Sequence, residues 1–331
     1  MTLAGAGLPT GDPALEAALR RGLDDVEDLL AEAVSDVHAA FGNATGHLMA
    51  AGGKRFRPLL TVLASQLGSG AGPDVLKAAA VVELTHLASL YHDDVMDDAS
   101  LRRGTTSANV QYGNTVAILT GDLLFARASR IVAELGPEAV KVQARTFERL
   151  VTGQTRETVG PAEGDDPVEH YLGVLADKTG ALIATSGRFG AEFAGCPPDV
   201  VDVLVDYGER IGVAFQLADD LIDLASETGE SGKTPGTDLR EGIPTLPVLL
   251  ARTSTDPADA ELLALLSGDL TDDALHSRAL GLLRAHPSLE QARVETQSWA
   301  DAARAALKPL PDGPVRDALD ALAAGVVTRT G

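Results

Sequence analysis

The chain has 331 residues, of which 45% are hydrophobic, and its formal net charge at pH 7 is −21. A chain of this length and composition can bury a sizeable core, whereas its negative charge disfavours nonspecific binding to nucleic acid or to an anionic membrane surface. The single cysteine, Cys196, excludes an intramolecular disulfide and a thiolate metal cluster, so we expect a cytoplasmic location.

The predicted secondary structure is helical throughout. We expect no signal peptide and a flexible N-terminus over residues 1–12, because no basic segment precedes an apolar one. After Asp12-Pro13, apolar residues recur at three-to-four spacing from Leu15 to Ala33, and this pattern continues to the C-terminus between short glycine- and proline-rich breaks. Convincing alternating strands are absent, and the longest apolar run, 75–91, contains charged residues and falls short of a bilayer span. We therefore predict an all-α fold, a single domain over residues 1–331 and no membrane span.

Three segments fit the pattern Asp-Asp-x-x-Asp, and they differ in context. We interpret residues 24–28 as the solvated face of an ordinary amphipathic helix, because Leu23, Val26 and Leu30 form its apolar face. The other two matches, 93–97 and 219–223, each follow a predominantly apolar helix. Their carboxylates are therefore expected to project from the mouth of a core.

These two aspartate motifs indicate a metal site. Asp93 and Asp97 share one helix face, and Gln216, Asp220 and Asp223 align on another. Like charges near a low dielectric must be neutralised or protonated, and an all-oxygen donor set suits Mg²⁺, which is commonly shared with substrate phosphates. A purely structural role as helix-end acids is the alternative.

Several basic residues stand in short motifs, most of them at glycine-punctuated helix ends. Backbone N–H groups and forked guanidinium donors can bind phosphate oxygens at such places. These segments contain Lys54, Arg55 and Arg57 in GGKRFRP, Arg102 and Arg103 in LRRG, Lys178 in DKTG and Lys233 in SGKTPG. Each could be an ordinary surface charge. Beside two acidic motifs, they jointly predict a site for Mg²⁺-diphosphates.

In this order the motifs make the chain similar to the trans-isoprenyl diphosphate synthases of the polyprenyl synthetase family, most like the bacterial medium- and long-chain members. The likeness runs over nearly the whole length, from GGKRFRP through ELTHLASLYHDDVMDDASLRRG, GDLLFARA, DKTGALI and GVAFQLADDLID to GKTPGTDLREGIPTLP. It implies a bundle of long helices around a deep central apolar cavity, and a homodimer.

The resemblance also implies residue roles. Isopentenyl diphosphate would be held by Lys54, Arg57, His86 and Arg103. The allylic diphosphate would be surrounded by Arg102, Lys178, Thr179, Gln216 and Lys233. About three Mg²⁺ ions would be coordinated by Asp93, Asp94, Asp97, Asp219, Asp220 and Asp223. The residues acting directly in catalysis would be Asp93, Asp97, Arg102, Lys178 and Asp219. The chain departs from the family pattern at Ile243, where many relatives have lysine. The missing cation near the leaving group would affect the reaction rate or the substrate affinity.

The reaction that the resemblance implies is a head-to-tail (1'-4) condensation by ionisation, condensation and elimination. The allylic C–O bond breaks, the isopentenyl double bond attacks the cation, and a proton is lost, without a side-chain nucleophile. Cations and metal stabilise the departing charge, and an apolar cavity excludes water.

Product length depends on the residues below the first motif on the same helix. There we expect Ser89, Thr85 and Val82 to face the growing chain, with Ala88 flanking. None is aromatic, which favours all-trans products longer than C15, and C30 or more is preferred. A floor from another helix and a C20 product, as in a geranylgeranyl diphosphate synthase, stay open.

Two rival functions share parts of this pattern. A class I terpene cyclase has one aspartate-rich motif but normally a mixed second metal motif and no GGKRFRP segment. A noncatalytic subunit of a heteromeric synthase usually loses one aspartate motif or several cations, whereas this chain has both motifs.

Overall fold

A computed structural model describes residues 11–35, 41, 43–225 and 235–328. Lys233 and most of the N-terminal stretch 1–12 lie outside the described residues. The helices are α1 (Pro13–Ser35), α2 (Ala44–Ala50), α3 (Phe56–Ser65), α4 (Pro73–Met96), α5 (Ala108–Tyr112), α6 (Asn114–Glu134), α7 (Pro137–Val159), α8 (Pro167–Leu175), α9 (Ala181–Phe193), α10 (Pro198–Ala225), α11 (Thr237–Arg240), α12 (Leu246–Ala251), α13 (Ala260–Leu266), α14 (Asp273–Ala285), α15 (Pro287–Ala306) and α16 (Pro314–Thr328).

Three short elements complete the described secondary structure. A π-helix, Ala176–Gly180, joins α8 to α9, and a 3₁₀ turn, Pro257–Asp259, precedes α13. Two-residue strands, β1 (Leu101–Arg102) and β2 (Thr105–Thr106), form an antiparallel hairpin. With so little strand in the described residues, the all-α prediction is confirmed. Within these same parts of the chain, no helix combines the length and apolar character that crossing a membrane requires.

The chain divides into two compact units built from interleaved segments. Unit 1 comprises Met1–Arg149, Ala181–Gly208 and Ala306–Leu322, and unit 2 comprises Leu150–Gly180, Glu209–Ala305 and Ala323–Gly331. The single domain over residues 1–331 stays a prediction.

Unit 1 is organised around α4. This helix packs against α1, α3, α6 and α9, and its residues from Val75 to Ala88 are buried on almost every side. A helix that is apolar all round is stable only inside a core, whereas its last turns, from Ser89 onward, carry the polar residues. The first aspartate motif is therefore held at the end of a buried and well-packed helix.

Unit 2 is organised around the second part of α10. Its apolar side chains Val213, Leu217 and Leu221 pack with Leu175 and Leu246 in one core cluster. A second cluster joins Leu224 to residues of α11, α12, α13 and α14. The second aspartate motif thus also lies on a helix whose opposite face is fixed by packing.

Candidate active site

The first aspartate motif occupies the last turn of α4 and the residue after it. Asp93 is half-buried and Asp97 is exposed. Asp94 differs from both, because it is 0% exposed and its Oδ1 accepts a hydrogen bond of 2.6 Å from Arg102 Nε. Its Oδ2 is buried without a hydrogen-bond partner in the protein. The structure therefore does not bring Asp94 to the mouth of the core, where the metal prediction expected all three carboxylates.

The hairpin that follows α4 carries Arg102 and Arg103, which hydrogen-bond to different partners. Arg103 and Gly104, between β1 and β2, have φ of 53° and 75°, the left-handed pair that a two-residue hairpin turn requires. Arg103 donates from Nη1 to the carbonyl oxygens of Gly52 and of Leu48, the latter at 2.9 Å. Its guanidinium lies 2.9 Å from the place where a Cβ of residue 53 would stand, so a side chain at position 53 would displace the Arg103 guanidinium. Arg103 thus ties the hairpin to the segment that carries Lys54 and Arg57.

That segment is anchored by Arg55, whose role the sequence left undefined. Arg55 is buried, with a left-handed φ of 47° at the start of α3. It donates to Glu27 through Nε and Nη2, and to Glu83 Oε1 through Nη1 at 3.1 Å. The interpretation of residues 24–28 as a merely solvated face was therefore wrong for Glu27. Glu83, which is 2% exposed, was also missed, although an acid within an apolar helical run was a usable signal.

Around this anchor the structure brings together three of the predicted isopentenyl diphosphate ligands. Burial, together with the positive charges of Arg57, Arg103, Arg102 and Arg55, holds the pKa of His86 well below 6.5. The pKa of Arg57 is lowered to about 10, chiefly by burial; the Glu83 charge opposes this shift and the Arg103 charge adds to it. The Arg57 Nε is buried with no hydrogen-bond partner. Cations that depress one another's pKa values, with an unused buried donor, form an anion site.

The second aspartate motif, in unit 2, is held by a chain of side-chain hydrogen bonds. Asp220 is 7% exposed; its Oδ1 accepts from Gln216 Nε2 at 3.1 Å, and its Oδ2 accepts from the Tyr171 hydroxyl. Burial raises the pKa of Asp220 to about 7; the bonds from Tyr171 and Gln216 lower it, and the charges of Asp219 and Asp223 raise it. Both Asp220 oxygens are therefore engaged with protein donors, and Tyr171 was missed by the sequence analysis.

Asp219 and Asp223 complete this motif in different surroundings. Asp219 is half-buried. Asp223 accepts backbone N–H bonds from Thr237 at 3.2 Å and from Asp238 at 3.1 Å, at the start of α11. Asp223 therefore acts as a helix cap, a role that its predicted use as a metal ligand did not anticipate.

The π-helix carries the remaining predicted ligands of the allylic diphosphate. Thr179 Oγ1 donates to Gln216 Oε1 at 3.2 Å, which extends the chain of bonds through Gln216 to Asp220. Lys178 forms an ion pair with Glu157, a residue the sequence analysis did not select. The DKTG segment was expected at a helix end, but it lies within continuous helical structure from α8 to α9. Single π turns of this kind are frequent at functional sites.

The carboxylates fit a metal that arrives with its substrate. Among the described residues, no group of three or more His, Cys, Asp or Glu side chains could by itself hold a metal ion. Mg²⁺ typically takes one or two carboxylates and completes its shell with water and substrate phosphates. Asp93 and Asp97, with only oxygen donors one turn apart, match that requirement.

Two further predicted positions lie as follows. Ile243 is 36% exposed and lines a cavity of about 560 Å³ in unit 2, with Leu239, Arg240 and Arg252 among its other residues. In the predicted chain-length stripe, Thr85 and Ala88 are fully buried, whereas Ser89 is half-buried. Gln143, which the sequence analysis missed, donates to Thr85 Oγ1.

Comparison with known proteins gives one consistent result. Residues 38–283 match the polyprenyl synthetase family. The chain is 50% identical to nonaprenyl diphosphate synthase of Mycobacterium tuberculosis, over 98% of each sequence. It superposes with a TM-score of 0.87 and 46% identity on geranylgeranyl pyrophosphate synthase from Corynebacterium glutamicum, solved with calcium and isoprenyl diphosphate, covering 97% of this chain and 99% of that one. A decaprenyl diphosphate synthase from Rhodobacter capsulatus also gives 0.87, at 36% identity and 96% and 99% coverage. The chain belongs to the polyprenyl synthetase family.

Proposed function

We propose that the chain catalyses the Mg²⁺-dependent head-to-tail condensation of isopentenyl diphosphate with an allylic diphosphate. The observation that carries this proposal is the cationic cluster of unit 1. Arg57, His86 and Arg103 share one environment there, and His86 lies on α4, the helix whose last turn carries Asp93. The three relatives described above all act on, or are named for, diphosphates of this class.

The isopentenyl diphosphate site consists of Lys54, Arg57, His86 and Arg103. His86 is uncharged at neutral pH because its pKa is depressed, so it serves as a hydrogen-bonding group while the arginines supply charge. Arg103 donates from Nη1 to the carbonyl oxygens of residues 48 and 52. Its other guanidinium N–H groups can donate to phosphate oxygens. With His86 as a hydrogen-bonding group and the arginines as charges, the site can orient isopentenyl diphosphate with little rearrangement of its side chains.

The allylic diphosphate is bound by Arg102, Lys178, Thr179, Gln216 and Lys233. Arg102 donates a hydrogen bond from Nε to Asp94. The Nη groups of its guanidinium can donate to the diphosphate. Thr179 and Gln216 fix each other. No side chain acts as nucleophile in this scheme, because the isopentenyl double bond attacks the allylic cation while the apolar lining excludes water.

The metal ligands are the carboxylates of the two aspartate motifs, Asp93, Asp94, Asp97, Asp219, Asp220 and Asp223. Asp94, Asp220 and Asp223 also accept hydrogen bonds from the protein, which orient their carboxylates. A divalent metal, when bound, supplies charge neutralisation to the departing diphosphate. Asp93, Asp97 and Asp219 would therefore act on the leaving diphosphate through the metal that they hold, whereas Arg102 and Lys178 would donate to it directly.

The product is an all-trans polyprenyl diphosphate longer than C15, and C30 or more is preferred. Small side chains at Ala88 and Ser89, and the likeness to nonaprenyl and decaprenyl diphosphate synthases, favour this length. The likeness to the Corynebacterium geranylgeranyl enzyme favours the alternative of C20. We further propose that the chain acts in the cytoplasm as a homodimer.

A turnover assay tests the proposal directly. Purified protein, Mg²⁺ and isopentenyl diphosphate are combined with C5, C10, C15 or C20 allylic primers, and the dephosphorylated products are sized by mass spectrometry. Absence of elongation with every primer would contradict the proposed function.

The metal assignment is tested in the same assay by Asp93→Ala. We expect turnover to fall at least 100-fold, because a ligand to the leaving-group metal is lost. Asp28→Ala is the matched control, since it lies in the other Asp-Asp-x-x-Asp segment, is exposed and should leave turnover unchanged. Wild-type turnover in Asp93→Ala would rule out the metal assignment.

A further inference from the structure

The short helix α2 carries backbone atoms to which Arg103 is hydrogen-bonded. Arg103 Nη1 donates to the carbonyl oxygen of Leu48 at 2.9 Å and to that of Gly52, just past the end of α2. A helix of 7 residues is not stable by itself in water, so its position is set by the side chains that hold it. The placement of the Arg103 guanidinium therefore depends on the anchors of α2.

Tyr91 of α4 anchors α2 through one buried hydroxyl. Tyr91 is 0% exposed, and its hydroxyl donates to the Ala44 carbonyl oxygen and accepts from the Leu48 N–H at 3.2 Å. Burial raises the pKa of Tyr91 to about 12, so the hydroxyl keeps its proton and remains a donor at neutral pH. Leu48 thus donates to Tyr91 through its N–H and accepts from Arg103 at its carbonyl oxygen. One residue of α2 links the two side chains.

His47 ties α2 to the hairpin that carries Arg103. His47 Nε2 is hydrogen-bonded to the carbonyl oxygen of Thr106 at 2.8 Å, and because a carbonyl only accepts, this nitrogen carries the proton. The His47 ring also packs edge-on against Tyr112 of α5, with ring centroids 5.4 Å apart. Thr106 pairs with Leu101 across the hairpin. Helix α2 is therefore held both by α4 and by the strands whose turn carries Arg103.

We infer that Tyr91, together with His47, positions Arg103 through α2 in the isopentenyl diphosphate site, a role that rests on the proposed function. The Tyr91 hydroxyl is bonded to the Ala44 carbonyl and the Leu48 N–H, the two groups that a regular α-helix bonds to each other. Without the hydroxyl, these groups either bond directly, which tightens this turn of α2, or lose a buried partner. In both cases the Leu48 carbonyl shifts, and the Arg103 guanidinium shifts with it.

Steady-state kinetics of Tyr91→Phe test this role, because the substitution removes the hydroxyl and keeps the ring. We expect KM for isopentenyl diphosphate to rise roughly fivefold, with kcat and KM for the allylic primer changed less than about twofold, since Arg102 is held separately by Asp94. Tyr207→Phe is the matched control. Tyr207 is also 0% exposed, and its hydroxyl donates to the Leu319 carbonyl at 2.8 Å. This control should leave both KM values unchanged.

A double variant shows whether Tyr91 acts through Arg103. Arg103→Lys keeps the charge but removes the forked donors, so adding Tyr91→Phe to it should raise KM for isopentenyl diphosphate by less than about twofold more. A full additional rise would mean that Tyr91 does not act through Arg103 and would overturn the inference. Thermal unfolding of Tyr91→Phe and Tyr207→Phe should show similar losses of stability, because each loses one buried hydroxyl.

The outcomes separate this inference from the proposed function. An unchanged KM for isopentenyl diphosphate in Tyr91→Phe overturns the inference and leaves the proposed function intact. If Tyr91→Phe does not fold, His47→Ala releases α2 from the hairpin at a half-buried position; a raised KM then supports the inference, and an unchanged one overturns it. Inactivity of the wild type with every primer overturns the proposed function. In that case, calorimetry of isopentenyl diphosphate binding to the same variants, which needs no turnover, decides the inference.

Discussion

Arg55 shows how single residues prepare the cationic cluster. A non-glycine residue with left-handed φ is costly by roughly 1–2 kcal/mol, and this one is held by two carboxylates, Glu27 and Glu83. Because Arg55 is turned into that pair, it is unavailable to substrate. Its backbone then fixes the turn from which Lys54 and Arg57 project. Of the three cations in GGKRFRP, one is therefore structural.

The two carboxylates that hold Arg55 should contribute very differently to stability. Glu83→Gln breaks a buried ion pair and should lower the free energy of unfolding by about 3 kcal/mol. Glu27→Gln should lower it by less than about 1 kcal/mol, because the Glu27 side chain is 40% exposed and solvent screens its charge. Urea denaturation of both variants measures the difference. Equal losses would show that burial does not decide the strength of these pairs.

His86 predicts how stability depends on pH. Its native pKa lies well below 6.5, so below pH 6.5 the unfolded chain binds a proton there that the native protein does not. Stability from this residue is therefore present above pH 6.5 and declines as the pH falls below that value.

Urea denaturation at pH 8.0 and pH 5.5 tests this, with His86→Gln as the comparison. The wild type should lose more of its free energy of unfolding than the variant between these two pH values. An equal loss in both proteins would mean that His86 is protonated in the native state as readily as in the unfolded chain.

At the scale of elements, α4 combines a core function with a site function. The stripe from Asp97 to Thr85 passes from exposed carboxylates to buried side chains within four turns. A bulky residue midway should therefore block the path of the growing tail.

The substitution Ser89→Phe tests this path. We expect the main product to shorten by one or more C5 units, because an aromatic ring at this half-buried position fills space on the stripe between Asp93 and Thr85. Val110→Phe, at an exposed position on α5, serves as the control. An unchanged product spectrum in Ser89→Phe would show that the stripe does not face the tail.

The sequence predicted most helices but not their local departures. The three-to-four periodicity located α1, and proline or glycine breaks marked the starts of α4, α7, α8 and α10, because these signals act within a few residues. The hairpin at 101–106 and the π-helix at 176–180 were not predicted. Such departures depend on tertiary partners, here Asp94 for Arg102 and Glu157 for Lys178.

For the candidate site, too, the sequence predicted the main residues but not the contacts that they make. Residue types and spacing selected Asp93, Asp97, Arg57 and Arg103, and the family resemblance added His86. They could not reveal that Asp94 and Asp220 are engaged by protein donors, or that Gln143 meets Thr85 from a helix 58 residues away. Long-range pairs of this kind leave no periodic signal in one sequence.

At the scale of the whole molecule, an apolar face on unit 1 supports the proposed homodimer. Ile118 and Leu119 of α6 and Val140 and Phe147 of α7 are exposed, and α6 and α7 meet through Phe125 and Phe147, whose ring centroids are 4.4 Å apart. Exposed apolar side chains that cluster on neighbouring helices commonly mark a protein interface. We expect it to contact a second copy.

The double substitution Ile118→Asp with Leu119→Asp should convert the dimer to a monomer, because each copy would bring two new carboxylates to an apolar interface. Light scattering after size-exclusion chromatography measures the mass. Val294→Asp, at an exposed position on α15, should keep the wild-type mass. A monomeric wild type would contradict the homodimer.

The cationic cluster has a consequence for how substrate is captured. With a net charge of −21, the protein repels a free diphosphate at long range, and the arginines attract it only within about one Debye length, ~8 Å at physiological ionic strength. Association should therefore be slowest at low salt and accelerate as moderate salt screens the repulsion, the opposite of ordinary electrostatic steering. Diphosphates already complexed with a divalent cation carry less charge and meet a lower barrier. Encounter kinetics thus select the metal-bound form of the substrate before any contact is made.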